Sequence, residues 1–115
     1  MGKIDLSYLE SVTDNDHEIM IEMIDLIIEQ TPTHIENIKS FNRDKLWKKL
    51  GAEAHKIKPM LLYVGLAELK ETAEKLEEFG KKETNLELIP DSIQKLDSGF
   101  KAIIPELVET KQSLS

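Results

Sequence analysis

Apolar residues recur at intervals of three and four positions along almost the whole 115-residue sequence. This spacing places them on one face of an α-helix, and the alternation of apolar and polar residues typical of a β-strand is missing. Aromatic residues, which are common in strands, make up only 5% of the chain. An all-α fold is therefore expected, with a core built from the apolar faces of amphipathic helices.

The first half of this pattern predicts a short helix and then a long one. The short helix is expected from about Asp5 to Val12, and a polar break at residues 14–16 precedes a helix that ends near Ser40. Pro32 lies inside the long helix and is expected to bend or split it, because proline has no amide N–H to donate.

Caps and helix breakers delimit three more helices. Asn42 is expected to cap the third helix, Gly65 to end it and Gly80 to stop the fourth. Residues 81–89 are expected to form a loop, and Pro90 to open the last helix. The apolar stripes of the four long helices are Met20, Met23, Ile24, Ile27, Thr31, Ile35 and Ile38; Leu46, Leu50, Ala54, Ile57, Leu61 and Val64; Leu66, Leu69, Ala73, Leu76 and Phe79; and Ile93, Leu96, Phe100, Ile103, Leu107 and Lys111. An antiparallel up-down four-helix bundle, preceded by the short N-terminal helix, is predicted as a single domain over residues 1–115.

Composition narrows the classes of function. The chain has no cysteine, which excludes disulfides, thiol nucleophiles and cysteine-based zinc sites. No apolar run approaches the ~18 residues of a membrane span, and residues 1–6 lack the apolar core of a signal peptide. A cytoplasmic location without membrane contact is expected.

The charge is unevenly distributed. The net charge of −7 argues against nucleic acid as a partner. Residues 43–58, however, contain six basic and two acidic side chains, a local balance of +4 that leaves −11 for the rest of the chain. A basic helix on an acidic body is expected to steer an acidic protein partner towards one face.

One of the three histidines has distinctive surroundings. His17 and His34 are expected to be solvated surface residues. His55 lies about 140° from the centre of the third stripe, on the outward side of its helix. Small or apolar residues share that sector and lysines flank it: Gly51, Ala52, Pro59 and Leu62, with Lys48 and Lys58. An exposed neutral imidazole beside cations can take up a phosphoryl group, although a plain surface histidine also fits this pattern.

Residues 54–66, with the sequence Ala-His-Lys-Ile-Lys-Pro-Met-Leu-Leu-Tyr-Val-Gly-Leu, resemble the signature of histidine phosphotransfer (HPt) domains. The resemblance implies that His55 is the phospho-acceptor and that Lys58 stabilises the phosphoryl group. Pro59 departs from the family's usual glycine, and a local bend is expected below His55. Glu77, 22 positions after the histidine, either orients the imidazole as in some family members or is an ordinary solvated glutamate.

The resemblance further implies a covalent carrier without kinase activity of its own. Its partners would be receiver domains of response regulators and of a hybrid sensor histidine kinase, and it would act as a monomer. It would bind no metal or other cofactor itself, because the receiver domain supplies the magnesium. The expected docking residues are Lys48, Gly51, Ala52, Lys56, Pro59, Leu62 and Gly65. Two alternatives stay open: a helical adaptor that binds a receiver or kinase domain without carrying phosphate, and a weak phosphatase that uses His55 with Glu77.

Overall fold

The computed structural model describes residues 4–115, which form five α-helices, one short 3-10 helix and no β-strand. Residues 1–3 lie outside the described residues. They belong to the segment of residues 1–6 in which the sequence analysis found no apolar core of a signal peptide. The helices are α1 (Ser7–Val12), α2 (His17–Arg43), α3 (Trp47–Tyr63), α4 (Ala67–Lys82) and α5 (Ile89–Leu114), and the 3-10 helix (Leu86–Leu88) precedes α5. The predicted all-helical fold is confirmed.

The four long helices form a closed bundle, in which each packs against two neighbours. Contacts join α2 to α3, α3 to α4, α4 to α5 and α5 back to α2, while α1 lies against α3. Three-residue links before and after α3 leave no room for a crossover, so successive helices run antiparallel. The bundle is 42 Å long, and its largest fully buried side chains are Phe100, Leu9, Met20, Ile24, Ile35, Ile38, Leu50, Ile57, Leu61, Leu76, Ile89 and Leu96. In the described part of the chain, no helix has both the length and the apolar character that crossing a bilayer requires.

The link between α2 and α3 differs from the prediction. Helix α2 continues to Arg43, so Asn42 lies inside it and does not cap α3. Leu46 is the N-cap of α3 and is 40% exposed, which also removes it from the predicted core stripe. Lys45 adopts a positive φ of 59°. The chain reverses there, and the backbone N–H of Leu46 bonds to the carbonyl of Phe41, so the turn forms without a side-chain cap.

Three prolines lie inside unbroken helices. Pro32 does not split α2, and Pro59 and Pro105 lie within α3 and α5. Each proline removes one backbone donor, but the turns on either side remain paired and packed. The carbonyl of His55, four residues before Pro59, thus lacks its usual amide donor although α3 is continuous from Trp47 to Tyr63.

Helix α4 ends later than predicted. It continues through Gly80 to Lys82, where Glu83 takes a left-handed conformation with a φ of 53°. Gly80 is buried, and its role is close packing: a methyl group there would lie 2.5 Å from the carbonyl oxygen of Trp47 and 2.7 Å from the amide nitrogen of Gly51. The backbones of α3 and α4 therefore touch at this point.

Candidate functional site

His55 lies in the middle of α3, and its side chain is 62% exposed. The residues on the same side of α3 are exposed as well: Lys48, Ala52, Lys56, Pro59 and Leu62. Gly65, at the turn that follows α3, is half-buried and has a φ of 72°. A side chain at Gly65 would collide with Asp5, whose backbone N–H bonds to the carbonyl of Val64 at 2.8 Å. Gly65 thus shapes the end of α3 beside the exposed surface.

Glu77 on α4 holds the imidazole of His55 from the neighbouring helix. Its Oε2 lies 2.8 Å from Nδ1 of His55, and its side chain is only 13% exposed. Glu77 is therefore packed against the ring and is not an ordinary solvated glutamate. An ionised carboxylate can only accept a hydrogen bond, so Nδ1 carries the proton and donates. The other nitrogen, Nε2, is left unprotonated with a free lone pair when the ring is neutral.

Two lysines keep Glu77 ionised. Nζ of Lys58 lies 2.6 Å from Oε1, and Nζ of Lys81 lies 2.7 Å from Oε2. Burial alone would raise the pKa of the Glu77 carboxyl, but the hydrogen bonds from the two lysines and the imidazole outweigh it and lower the pKa from 4.5 to about 2. Glu77 is thus an anion at any physiological pH, and Lys58 rests on this carboxylate.

Lys81 is the member of this cluster that the sequence analysis missed. It follows Glu77 by four residues on the same helix, a spacing that favours an ion pair on the helix surface. The four-residue spacing of Glu77 and Lys81 is visible in the sequence. It indicates that Lys81 belongs to the site only once Glu77 is known to contact His55 across two helices.

Gly51 is not on the exposed side of α3, so the expectation that it shares the outward sector with His55 was wrong. It is buried, and a methyl group there would lie 2.9 Å from the carbonyl oxygen of Glu77 and 3.0 Å from the amide nitrogen of Lys81. The physical reason is that α3 packs against two helices, so its buried arc is wider than one apolar stripe. Gly51 and Gly80 together bring α4 close enough for Glu77 to reach His55.

His34 is also not the solvated residue that was expected. Its side chain is 19% exposed, and its Nδ1 donates to Oε2 of Glu53, a buried residue on α3. Asn37 donates to the same oxygen at 2.9 Å. Burial raises the pKa of Glu53, but the hydrogen bonds from Asn37 and His34 lower it by more, so the carboxyl stays ionised. This cluster joins α2 to α3 on the opposite flank from His55.

The third histidine, His17, lies at the start of α2 and is exposed, as expected. Among residues 4–115, no three His, Cys, Asp or Glu side chains are grouped so that they could hold a metal ion.

The structure is thus an antiparallel helical bundle with an exposed histidine that a carboxylate from the next helix orients. The family model of the Hpt domain matches residues 22–110, and the chain belongs to this family. A comparison with curated proteins and one with solved structures found no match.

Family membership gives the general role. Hpt domains are phosphocarrier modules of phosphorelays that interact with receiver domains and are generally not kinases. The chain therefore has a phosphotransfer-type role.

Proposed function

We propose that this chain is a phosphorelay intermediate in which His55 accepts a phosphoryl group from a receiver-domain aspartate and passes it to an aspartate of another response regulator. The observation that carries the proposal is the hydrogen bond of 2.8 Å between Nδ1 of His55 and Glu77. In the neutral ring it leaves Nε2 as an unprotonated nucleophile on an exposed surface, which is the state an imidazole needs to attack phosphorus.

The transfer step needs no further base, because the attacking Nε2 carries no proton. The Nε2 lone pair forms the new N–P bond while the P–O bond to the donor aspartate breaks, and its electron pair stays on the carboxylate oxygen. The ring becomes a cation with its proton still on Nδ1, next to the anionic Glu77. Lys58 and Lys81 are the cations available to the incoming phosphoryl oxygens. This chain supplies no metal in the scheme, and the magnesium is assigned to the partner receiver domain.

The exposed residues around His55 form the proposed docking surface, which consists of Lys48, Ala52, Lys56, Pro59 and Leu62. Ala52 and Pro59 are compact side chains within one helical turn of the imidazole, so an opposing active site can approach closely. Lys48 and Lys56 are exposed cations that favour the acidic pocket of a receiver domain as the partner.

The deciding experiment measures transfer of labelled phosphate from a phosphorylated receiver domain to the native chain, to His55→Ala and to His17→Ala. The native chain and His17→Ala should take up acid-labile label, with one phosphoryl group per chain, and His55→Ala should take up none. His17 is the matched control because it is also an exposed helical histidine. Continuous phosphate release without stoichiometric labelling would instead favour a phosphatase.

The adaptor alternative predicts a different result. The native chain would bind receiver domains with or without the imidazole of His55 and would take up no label. Pro59, exposed four residues from His55 where the family usually has glycine, is the feature that favours this alternative. Binding without transfer, measured by titration calorimetry beside the labelling assay, would replace the carrier proposal with the adaptor.

A further inference from the structure

A single carboxylate contacts the imidazole and both lysines of the site. Oε2 of Glu77 lies 2.8 Å from Nδ1 of His55 and 2.7 Å from Nζ of Lys81, and Oε1 lies 2.6 Å from Nζ of Lys58. The charged groups linked to the ring are thus one anion and one cation from α4 and one cation from α3. The anion is in direct contact with Nδ1. Lys81 shares Oε2 with the imidazole, whereas Lys58 is bound to the other carboxylate oxygen, Oε1.

The lifetime of a phosphohistidine depends on the proton at the nitrogen that does not carry phosphorus. When that nitrogen is protonated, the N–P bond breaks with its electron pair on the ring, and a neutral imidazole leaves. When it is not protonated, the leaving group is an imidazolate anion, which leaves far more slowly. A carboxylate in contact with the N–H stabilises the protonated, cationic ring.

We propose that Glu77 sets the lifetime of the phosphoryl group on His55, because its negative charge holds the proton on Nδ1 and so keeps the ring a good leaving group. The inference rests on the proposed function and deepens it. Glu77 acts here as a positioning residue with a charge-dependent effect, which makes the phosphorylated chain a short-lived intermediate that passes its group on rather than a store.

The charge of Glu77 can be separated from its hydrogen bond. In Glu77→Gln the amide oxygen still accepts from Nδ1 and can orient the ring, but the negative charge is gone. If only orientation mattered, the substitution would leave the lifetime of phosphorylated His55 unchanged. If the charge matters, the protonated ring becomes less stable and the phosphoryl group is retained longer.

The test phosphorylates the chain with phosphoramidate, a small donor that needs no receiver domain, and follows the loss of label between pH 6 and pH 9. The half-life of phosphorylated His55 should be about fivefold longer in Glu77→Gln at pH 8, the effect expected for loss of one partly shielded charge pair. The pH at which the half-life lengthens should fall in the variant. Circular dichroism establishes that the variant is helical.

Glu78→Gln is the matched control. Glu78 is the next residue on α4, 58% exposed and paired with Lys82 at 3.3 Å, so its substitution changes the net charge equally without touching His55. It should leave the half-life at the native value. Equal half-lives in the native chain and Glu77→Gln, or an equal lengthening in both variants, would overturn the proposal.

A second measurement needs no substitution. The phosphorylated native chain is diluted into 8 M urea, which removes Glu77 from Nδ1, and its label should then be lost more slowly at pH 8 than in the folded chain. Loss at the same rate or faster contradicts the proposal. Labelling by phosphoramidate but by no receiver domain would reject the proposed function and leave this test intact, whereas no labelling of His55 by either donor rejects both.

Discussion

Nζ of Lys58 lies 2.6 Å from Oε1 of Glu77, across the interface between α3 and α4. The lysine that the motif assigns to the phosphoryl group is thus bound, before any phosphate arrives, to the carboxylate that also holds the imidazole. Its side chain is 23% exposed, so it can exchange one anion for another without being drawn out of a deep core.

Replacement of Lys58 should therefore impair transfer more than stability. We expect Lys58→Met to slow uptake of the phosphoryl group by about tenfold, because one cation is lost where negative charge accumulates in the transition state. Single-turnover transfer from a labelled receiver domain measures this rate. Lys49→Met, which removes an exposed lysine from the same helix, is the control, and an equal loss in both variants would show that only long-range steering is involved.

The contact between α3 and α4 at Gly80 should be intolerant of any side chain. In Gly80→Ala the new methyl group meets backbone atoms at 2.5 and 2.7 Å, which cannot move aside independently. We expect a loss of about 1–3 kcal/mol in the free energy of unfolding, as in other overpacked interfaces. Gly99→Ala is the comparison, because the atoms nearest to its methyl group belong to the flexible side chain of Leu69. Urea unfolding of both variants measures the difference, and equal stabilities would refute the backbone contact.

The stability of the bundle should depend on pH through Glu77. The folded state lowers the pKa of this carboxyl from 4.5 to about 2, so its contribution is complete above pH 4.5 and is lost as the pH falls towards 2. The difference in free energy of unfolding between the native chain and Glu77→Gln should shrink over that range. Urea titrations at several pH values measure it, and a difference that stays constant down to pH 2 would exclude the ion pairs as its source.

Replacement of Pro59 should stabilise α3. Pro59→Ala restores an amide N–H that can donate to the carbonyl of His55, and it removes the contact between the proline ring and that carbonyl. The gain should be about 1 kcal/mol or more in the free energy of unfolding, after deduction of the greater freedom of the unfolded chain. A decrease in stability would mean that the carbonyl of His55 is already satisfied in the native chain. The same variant shows in the transfer assay whether proline itself limits docking.

The helices and their buried faces could be predicted from the sequence because both follow from the period of a single helix. The four stripes supply most of the core, and the exceptions are exposed Leu46 and half-buried Lys111 near helix ends and half-buried Met23 within α2. The end of α2 was misplaced because the turn at Lys45 uses a positive φ in a residue other than glycine.

Contacts between helices could not be predicted from the apolar stripes, because each stripe describes one helix alone. Gly51 and Gly80 are 29 positions apart, and the need for both appears only when the rotation and offset of α3 against α4 are known. The pair of His34 and Glu53 escaped for the same reason. Glu77 could be named from the sequence only because some members of the family have a polar residue 22 positions after the histidine. That offset reflects a contact between two helices, which helix propensity does not predict.

The pair of glycines at the crossing of α3 and α4 also limits how far the distance between these two helices can vary. Where side chains separate two helices, the distance between the helices varies with rotamer and residue size. At this crossing the backbones of α3 and α4 are in direct contact, so the backbone atoms alone set the distance. The distance from Glu77 to His55 depends on this close approach, so residues far from the crossing of α3 and α4 can be changed without moving the imidazole relative to Glu77. A design that transfers this site to other helices would need glycines at the positions of Gly51 and Gly80. It would need these two glycines as much as the charged side chains of Glu77, Lys58 and Lys81.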